Sequence, residues 1–121
     1  MKNMKNIPKE NTQQSPTTND KAFLGMLGIC AKAGAAASGA FAAEKAIKSG
    51  TAKLVIVARD ASENTRTDYG KLCNGYKVRM LIMLDKEQLG KAVGKDERTI
   101  VAITDEGLSQ NLLKKMNCSK E

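Results

Sequence analysis

At 121 residues the chain has the length of one small domain, and 41% hydrophobic residues are enough to furnish a core. Lys and Arg number 20 against 13 Asp and Glu, with no histidine, so the net charge of +7 depends on no imidazole and polyanions are the natural partners. The missing histidine and the three widely spaced cysteines, Cys30, Cys73 and Cys118, argue against a metal centre, imidazole-based acid–base catalysis and a disulfide framework.

Residues 1–19 are polar with almost nothing to bury and read as a disordered tail, leaving 20–121 as a single folded domain. Lys2, Lys5 and Lys9 stand against Glu10 and Asp20, so most of the positive charge belongs to that domain. The start lacks the apolar stretch of a signal peptide, and the longest apolar runs, such as MLIML at 80–84, are far short of a membrane span. A soluble, unexported, cytoplasmic monomer with no membrane partner is expected.

Asp20 is a candidate N-cap for a first helix with Phe23, Leu24, Leu27 and Ala31 at helical spacing and Gly34 as its stop. AAAS at 35–38 is an ambiguous connector or strand. Residues 39–49 form a second helix ended by Gly50, with Ala43, Ala46, Ile47 and Gly50 able to turn inward. The run KLVIVA at 53–58 is too short and too β-branched for a helix and predicts a central strand buried on both faces.

Asp60 and Ser62 then offer caps for a third helix carrying Tyr69, Leu72 and Cys73, stopped at Asn74 and Gly75. KVRMLIML at 77–84 is the next strand, Asp85 caps a short helix, TIVAI at 99–103 is a strand, and a last helix carries Leu108, Leu112 and Met116. Alternating strands and helices with two-sided apolar strands predict a three-layer α/β/α sandwich around a mixed four-stranded sheet.

Nothing in the chain assembles a reaction. Ser62 beside Asp60 and Glu63 reads as helix capping, and GKAVGK at 90–95 lacks the spacer, the hydroxyl residue and the preceding strand of a phosphate loop. No catalytic residue, cofactor, metal or small-molecule substrate is therefore expected. On the second helix, Phe41, Lys45 and Lys48 fall at i, i+4 and i+7. Two readings fit that stripe. It is an RNA surface, with lysines on phosphates, helix N–H groups on an oxyanion and the ring on an unpaired base; or Phe41 packs on a neighbouring loop while Glu44 pairs with Lys48.

The strings AKAG at 31–34, SG leading EKAIKSGTAKLVIVARDASENT at 44–65, and QLGKAVGKDER at 88–98 followed by TIVAITDEGL resemble, in order and spacing, the superfamily of kink-turn RNA-binding ribosomal proteins of the archaeal L-seven-Ae type. The likeness is greatest to its bacterial YlxQ-like branch and extends from about Phe23 to Met116. It implies a noncatalytic protein that binds structured RNA, ribosomal or other, through the start of the second helix and the loop before the last strand.

The helical stripe and the resemblance together give Lys32, Gly39, Ala40, Phe41, Lys45, Lys48, Gly94, Lys95 and Arg98 as the expected RNA-binding residues. Gly39, Ala40 and Lys45 match the family's helix motif. Phe41 and Ala42 stand where the family's Asn and Glu read sheared G·A pairs, so kink-turn base readout is expected to be altered or lost. In the second loop Lys95 and Arg98 keep phosphate-binding chemistry, Arg98 at the entrance to a strand being the better candidate. Asp96 and Glu97 offer to neutralise both cations. The alternative function is a protein–protein adaptor anchored by Phe41.

Overall fold

The computed structural model describes residues 18–117, so most of the expected tail and Cys118 lie outside the described residues. The chain runs α1 (Thr18–Lys32), β1 (Ala36–Ser38), α2 (Ala40–Lys48), β2 (Leu54–Val57), α3 (Glu63–Gly75), β3 (Arg79–Ile82), α4 (Lys86–Ala92), β4 (Ile100–Ile103) and α5 (Glu106–Asn117). The strands form one sheet in the order β1-β4-β2-β3, with β4 antiparallel to β1 and β2 and β3 parallel to β2. This is the expected mixed four-stranded sheet.

Alternation along the two inner strands sorts their side chains into two half-cores, because successive residues point to opposite faces. Leu54 and Ile56 of β2 and Val101 and Ile103 of β4 meet Phe23 and Leu27 of α1, Leu89 of α4 and Leu112 of α5. On the other face Val55, Val57, Ile100 and Ala102 meet Ala43, Ala46 and Ile47 of α2 and Tyr69 and Cys73 of α3. Cys30 lies in the first half and Cys73 in the second, both buried and free. Each fully buried Leu, Ile or Val contributes about 1.5–3 kcal/mol, so the two layers stabilise one sheet from both sides.

Several boundaries differ from expectation for local reasons. Asp20 lies inside α1, which starts two residues within the expected tail, and its carboxylate pairs with Arg59 at 3.3 Å. AAAS resolves into the edge strand β1, whose alanines are held by pairing with β4. Ser62 caps α3 by accepting from the Thr65 amide at 3.1 Å, whereas Asp60 does not cap it and accepts from the Lys86 amide at 3.0 Å. β3 is shorter than its apolar run because Lys77 and Leu84 take positive φ at its ends, and as an edge strand it is half covered. Gly50 is exposed in the turn after α2 and does not face the core. Asp85 caps α4 as expected, with a reciprocal bond from Gln88. Among the described residues no helix is long and apolar enough to cross a membrane.

Candidate nucleic-acid interface

The head of α2 is built on Gly39, whose φ of 92° and ψ of 161° fall in a region open to glycine alone. Its amide donates to Ile100 O at 2.9 Å, tying the helix to β4, and it offers no side-chain cap. The amides of Ala40, Phe41 and Ala42 consequently have no acceptor among the described residues, and the first backbone bond of the helix is Ala43 N to Gly39 O. Ala40 is exposed while Ala43 is buried, so small side chains serve both an open helix head and close packing on the sheet.

Arg98 comes to the same place from the α4–β4 loop. A Cβ on Gly39 would lie 3.7 Å from Arg98 Nε, so the guanidinium runs alongside the helix head. A relay of backbone contacts sets it there. The Lys86 amide donates to Asp60 Oδ1, Lys86 O accepts from the Arg98 amide at 3.1 Å, and Arg98 Nη1 donates to Glu97 O at 2.8 Å. Among the described residues neither Lys95 nor Arg98 forms an ion pair with Asp96 or Glu97.

Phe41 is 83% exposed, which removes the reading in which its ring packs on a neighbouring loop. It separates two hollows. The larger, about 850 Å³, lies between α2, α3 and the α4–β4 loop and is lined by Gly39, Ala40, Phe41 and Lys48 with Arg98, Thr65, Asp68 and Tyr69. The smaller, about 520 Å³, is lined by Phe41 and Lys45 with Gly34, Ala46, Ser49 and Thr51. Six of the nine residues singled out in the sequence thus meet around one ring. Lys32, at the exposed end of α1, and Gly94 and Lys95, in the exposed turn after α4, line neither hollow.

The α3 wall of the groove was not legible as a site. Tyr69 was expected only as a helix residue, and Glu44 as a partner of Lys48. Instead the Tyr69 hydroxyl donates to Glu44 Oε2 at 3.2 Å, and no Glu44–Lys48 ion pair forms among the described residues. The signal available in the sequence was a lone Tyr opposite a carboxylate 25 positions away, which no spacing rule connects.

Burial of the Tyr69 ring, then the Glu44 carboxylate and its hydrogen bond, push the phenol from 10.0 up to about 12. The folded protein therefore holds this proton more tightly than the unfolded chain. That contribution is fully present below about pH 10 and is lost as pH rises through about 12. Tyr69→Phe is expected to lose roughly 2–3 kcal/mol less stability than the unaltered protein across this window. Urea unfolding of both proteins at the two ends of the window checks it, and parallel pH profiles would contradict the assignment.

In fold, the chain is of the class of α/β/α sandwiches built on a mixed four-stranded sheet, here with an open helix head and an arginine-bearing loop at one end. It belongs to the ribosomal protein L7Ae/L30e/S12e/Gadd45 family, whose model matches residues 21–113. RNA-binding protein YlxQ from Bacillus subtilis (strain 168) is 36% identical over 88 residues, which cover 73% of this chain and 88% of that protein. Large ribosomal subunit protein eL8 from Picrophilus torridus is 33% identical over 102 residues, 84% of this chain and 80% of its own.

Among solved structures, a protein of unknown function from Bacillus halodurans C matches with a TM-score of 0.74 at 29% identity, covering 78% of this chain and 96% of that one. The 15.5kD RNA binding protein of Giardia lamblia matches with a TM-score of 0.71 at 21% identity, covering 88% and 91%, a likeness of fold.

Proposed function

We propose that this chain is a noncatalytic RNA-binding protein of its family, acting on ribosomal or other structured RNA in the cytoplasm. On this reading it holds its target by phosphate contacts and stacking, with kink-turn base readout altered or lost. The observation that carries the reading is the meeting of the uncapped α2 head, Arg98 and the exposed Phe41 ring at one groove. Free amides and a guanidinium suit phosphate oxygens, and an exposed ring suits an unpaired base. Phe41 and Ala42 put no hydrogen-bonding side chain where the resemblance calls for Asn and Glu, which supports altered readout.

Lys45→Ala is expected to weaken binding of every RNA alike and to flatten the slope of log affinity against log salt by about one. Phe41→Ala should cost roughly 1–3 kcal/mol for RNAs that offer an unpaired base and little for a plain duplex. Phe41→Asn combined with Ala42→Glu should raise preference for tandem G·A pairs. Titration of these proteins against a kink-turn RNA and a duplex at several salt concentrations tests all three. The exposure of Phe41 also favours one other reading, an adaptor whose ring anchors a protein partner. Failure of the unaltered protein to bind either RNA would favour the adaptor.

A further inference from the structure

Phe41 divides two hollows that differ in one respect: only the larger carries carboxylates. On the Lys45 side, the smaller hollow is lined by one cation, small residues and hydroxyls, and no carboxylate. On the other side, the larger groove carries three carboxylates, Glu44 from α2, Asp68 from α3 and Glu97 from the α4–β4 loop, with Tyr69 and two cations, Lys48 and Arg98. Arg98 and the α2 head draw phosphate to one side of this groove, while the carboxylates around Tyr69 repel it. What they favour is a hydrogen-bond donor, because a carboxylate offers two acceptor oxygens in one plane.

Glu44 is the best placed of the three carboxylates. It lies at i+3 from Phe41, a spacing that puts both side chains on one helix face. Its Oε2 accepts the Tyr69 hydroxyl, which orients the carboxylate from α3 and leaves lone pairs on both oxygens. Among the described residues no cation pairs with it. An aromatic platform beside an oriented carboxylate frames a flat ligand whose edge presents two adjacent N–H donors. Guanine is the RNA base that does so, through N1–H and the 2-amino group. Adenine and cytosine set their amino group beside a ring acceptor, and uracil sets one N–H between two carbonyls.

We propose that the groove between α2 and α3 is a guanine subsite, in which the base stacks on Phe41 and donates from N1–H and its 2-amino group to Glu44, with Tyr69 as the positioning residue for that carboxylate. The phosphates then lie toward Lys45 and the α2 head. The proposal rests on the RNA-binding reading and adds the identity of one base to it. The guanine is either an unpaired nucleotide of an RNA or a free guanine nucleotide, the recognised chemistry being shared.

The test uses the full chain with a short oligouridine RNA and the same oligomer carrying one central guanosine, inosine or adenosine, at fixed salt. Inosine differs from guanosine only in lacking the 2-amino group. The guanosine oligomer is expected to bind about tenfold more tightly than the uridine and adenosine ones, with inosine between. Glu44→Gln should bring guanosine down to the level of the others while oligouridine binding holds or rises, because a negative charge is removed. A merely structural role for Glu44 would weaken all four oligomers together and would overturn the subsite. Tyr69→Phe should narrow the guanosine preference without abolishing it. Calorimetry with GMP and AMP separates the sources: selective uptake of GMP assigns a free nucleotide, and guanosine preference in oligomers alone assigns an extruded base. Equal binding of guanosine and inosine oligomers, or a preference that survives Glu44→Gln, overturns the subsite and leaves RNA binding standing. Uptake of neither oligomers nor GMP overturns both.

Discussion

Ile56→Asp is expected to leave no folded protein. Ile56 is fully buried in β2, an inner strand, and its neighbours are Phe23, Leu27, Leu89 and other apolar side chains of one half-core. The substitution removes about 1.5–3 kcal/mol of apolar burial and places a carboxylate where no partner is in reach, at a further cost of several kcal/mol. Small domains have only about 5–15 kcal/mol in hand, so the native population should collapse. Ile56→Val distinguishes polarity from general fragility, since losing one methylene there should cost about 0.5–1.5 kcal/mol and leave a cooperative transition. Circular dichroism with urea titration reads both. A cooperatively folded Ile56→Asp protein would show that the strand is not the centre of the sheet.

Gly90→Ala is expected to be the most damaging single-methyl change in the chain. Gly90 is buried in α4, and a Cβ there would run into the Asp96 carbonyl and approach Glu97 Cα at 3.0 Å. Both obstacles are backbone, so no side chain can swing aside. The α4–β4 loop is seated on this glycine, with Lys95 N donating to Gly90 O at 2.8 Å. A loss of about 3 kcal/mol follows from overpacking a site that cannot yield. The same displacement would carry Arg98 away from Gly39, so RNA binding should fall further than stability alone explains. Gly94→Ala is the comparison: its φ of 74° makes it strained, yet a Cβ there meets open space. If urea unfolding finds Gly90→Ala no worse than Gly94→Ala, the loop does not rest on position 90.

The elements that were legible in the sequence are those whose cause is local. LVIV of β2 and IVAI of β4 announce themselves by β-branched density, and Ser62 and Asp85 announce helix starts by side chains that reach only three residues. β1 was ambiguous because alanine carries no strand signal of its own and is held by its pairing with β4. Asp60 looked like a local cap and is a distant one, bonded to a helix that begins 26 residues later. For the candidate site the pattern held in part. The α2 stripe was readable from helical periodicity, but its meeting with Arg98 depends on how β4 crosses the sheet, and the Tyr69–Glu44 bond depends on how α3 packs beside α2.

The two buried thiols turn the layered core into a pair of built-in clocks. Cys30, on α1, is buried in the layer that α1, α4 and α5 form on one face of the sheet, and Cys73, on α3, in the layer of α2 and α3 on the other; burial raises the pKa of both, so each reacts slowly until its own layer opens. The rate at which a thiol reagent modifies each one under native conditions therefore reports the opening free energy of one layer separately from the other. Equal rates would mark the domain as a single cooperative unit. A faster Cys73 would mean that the helices bearing Phe41, Glu44 and Tyr69 breathe away from the sheet on their own, and that the surface offered to a ligand is an ensemble with a measurable exchange time.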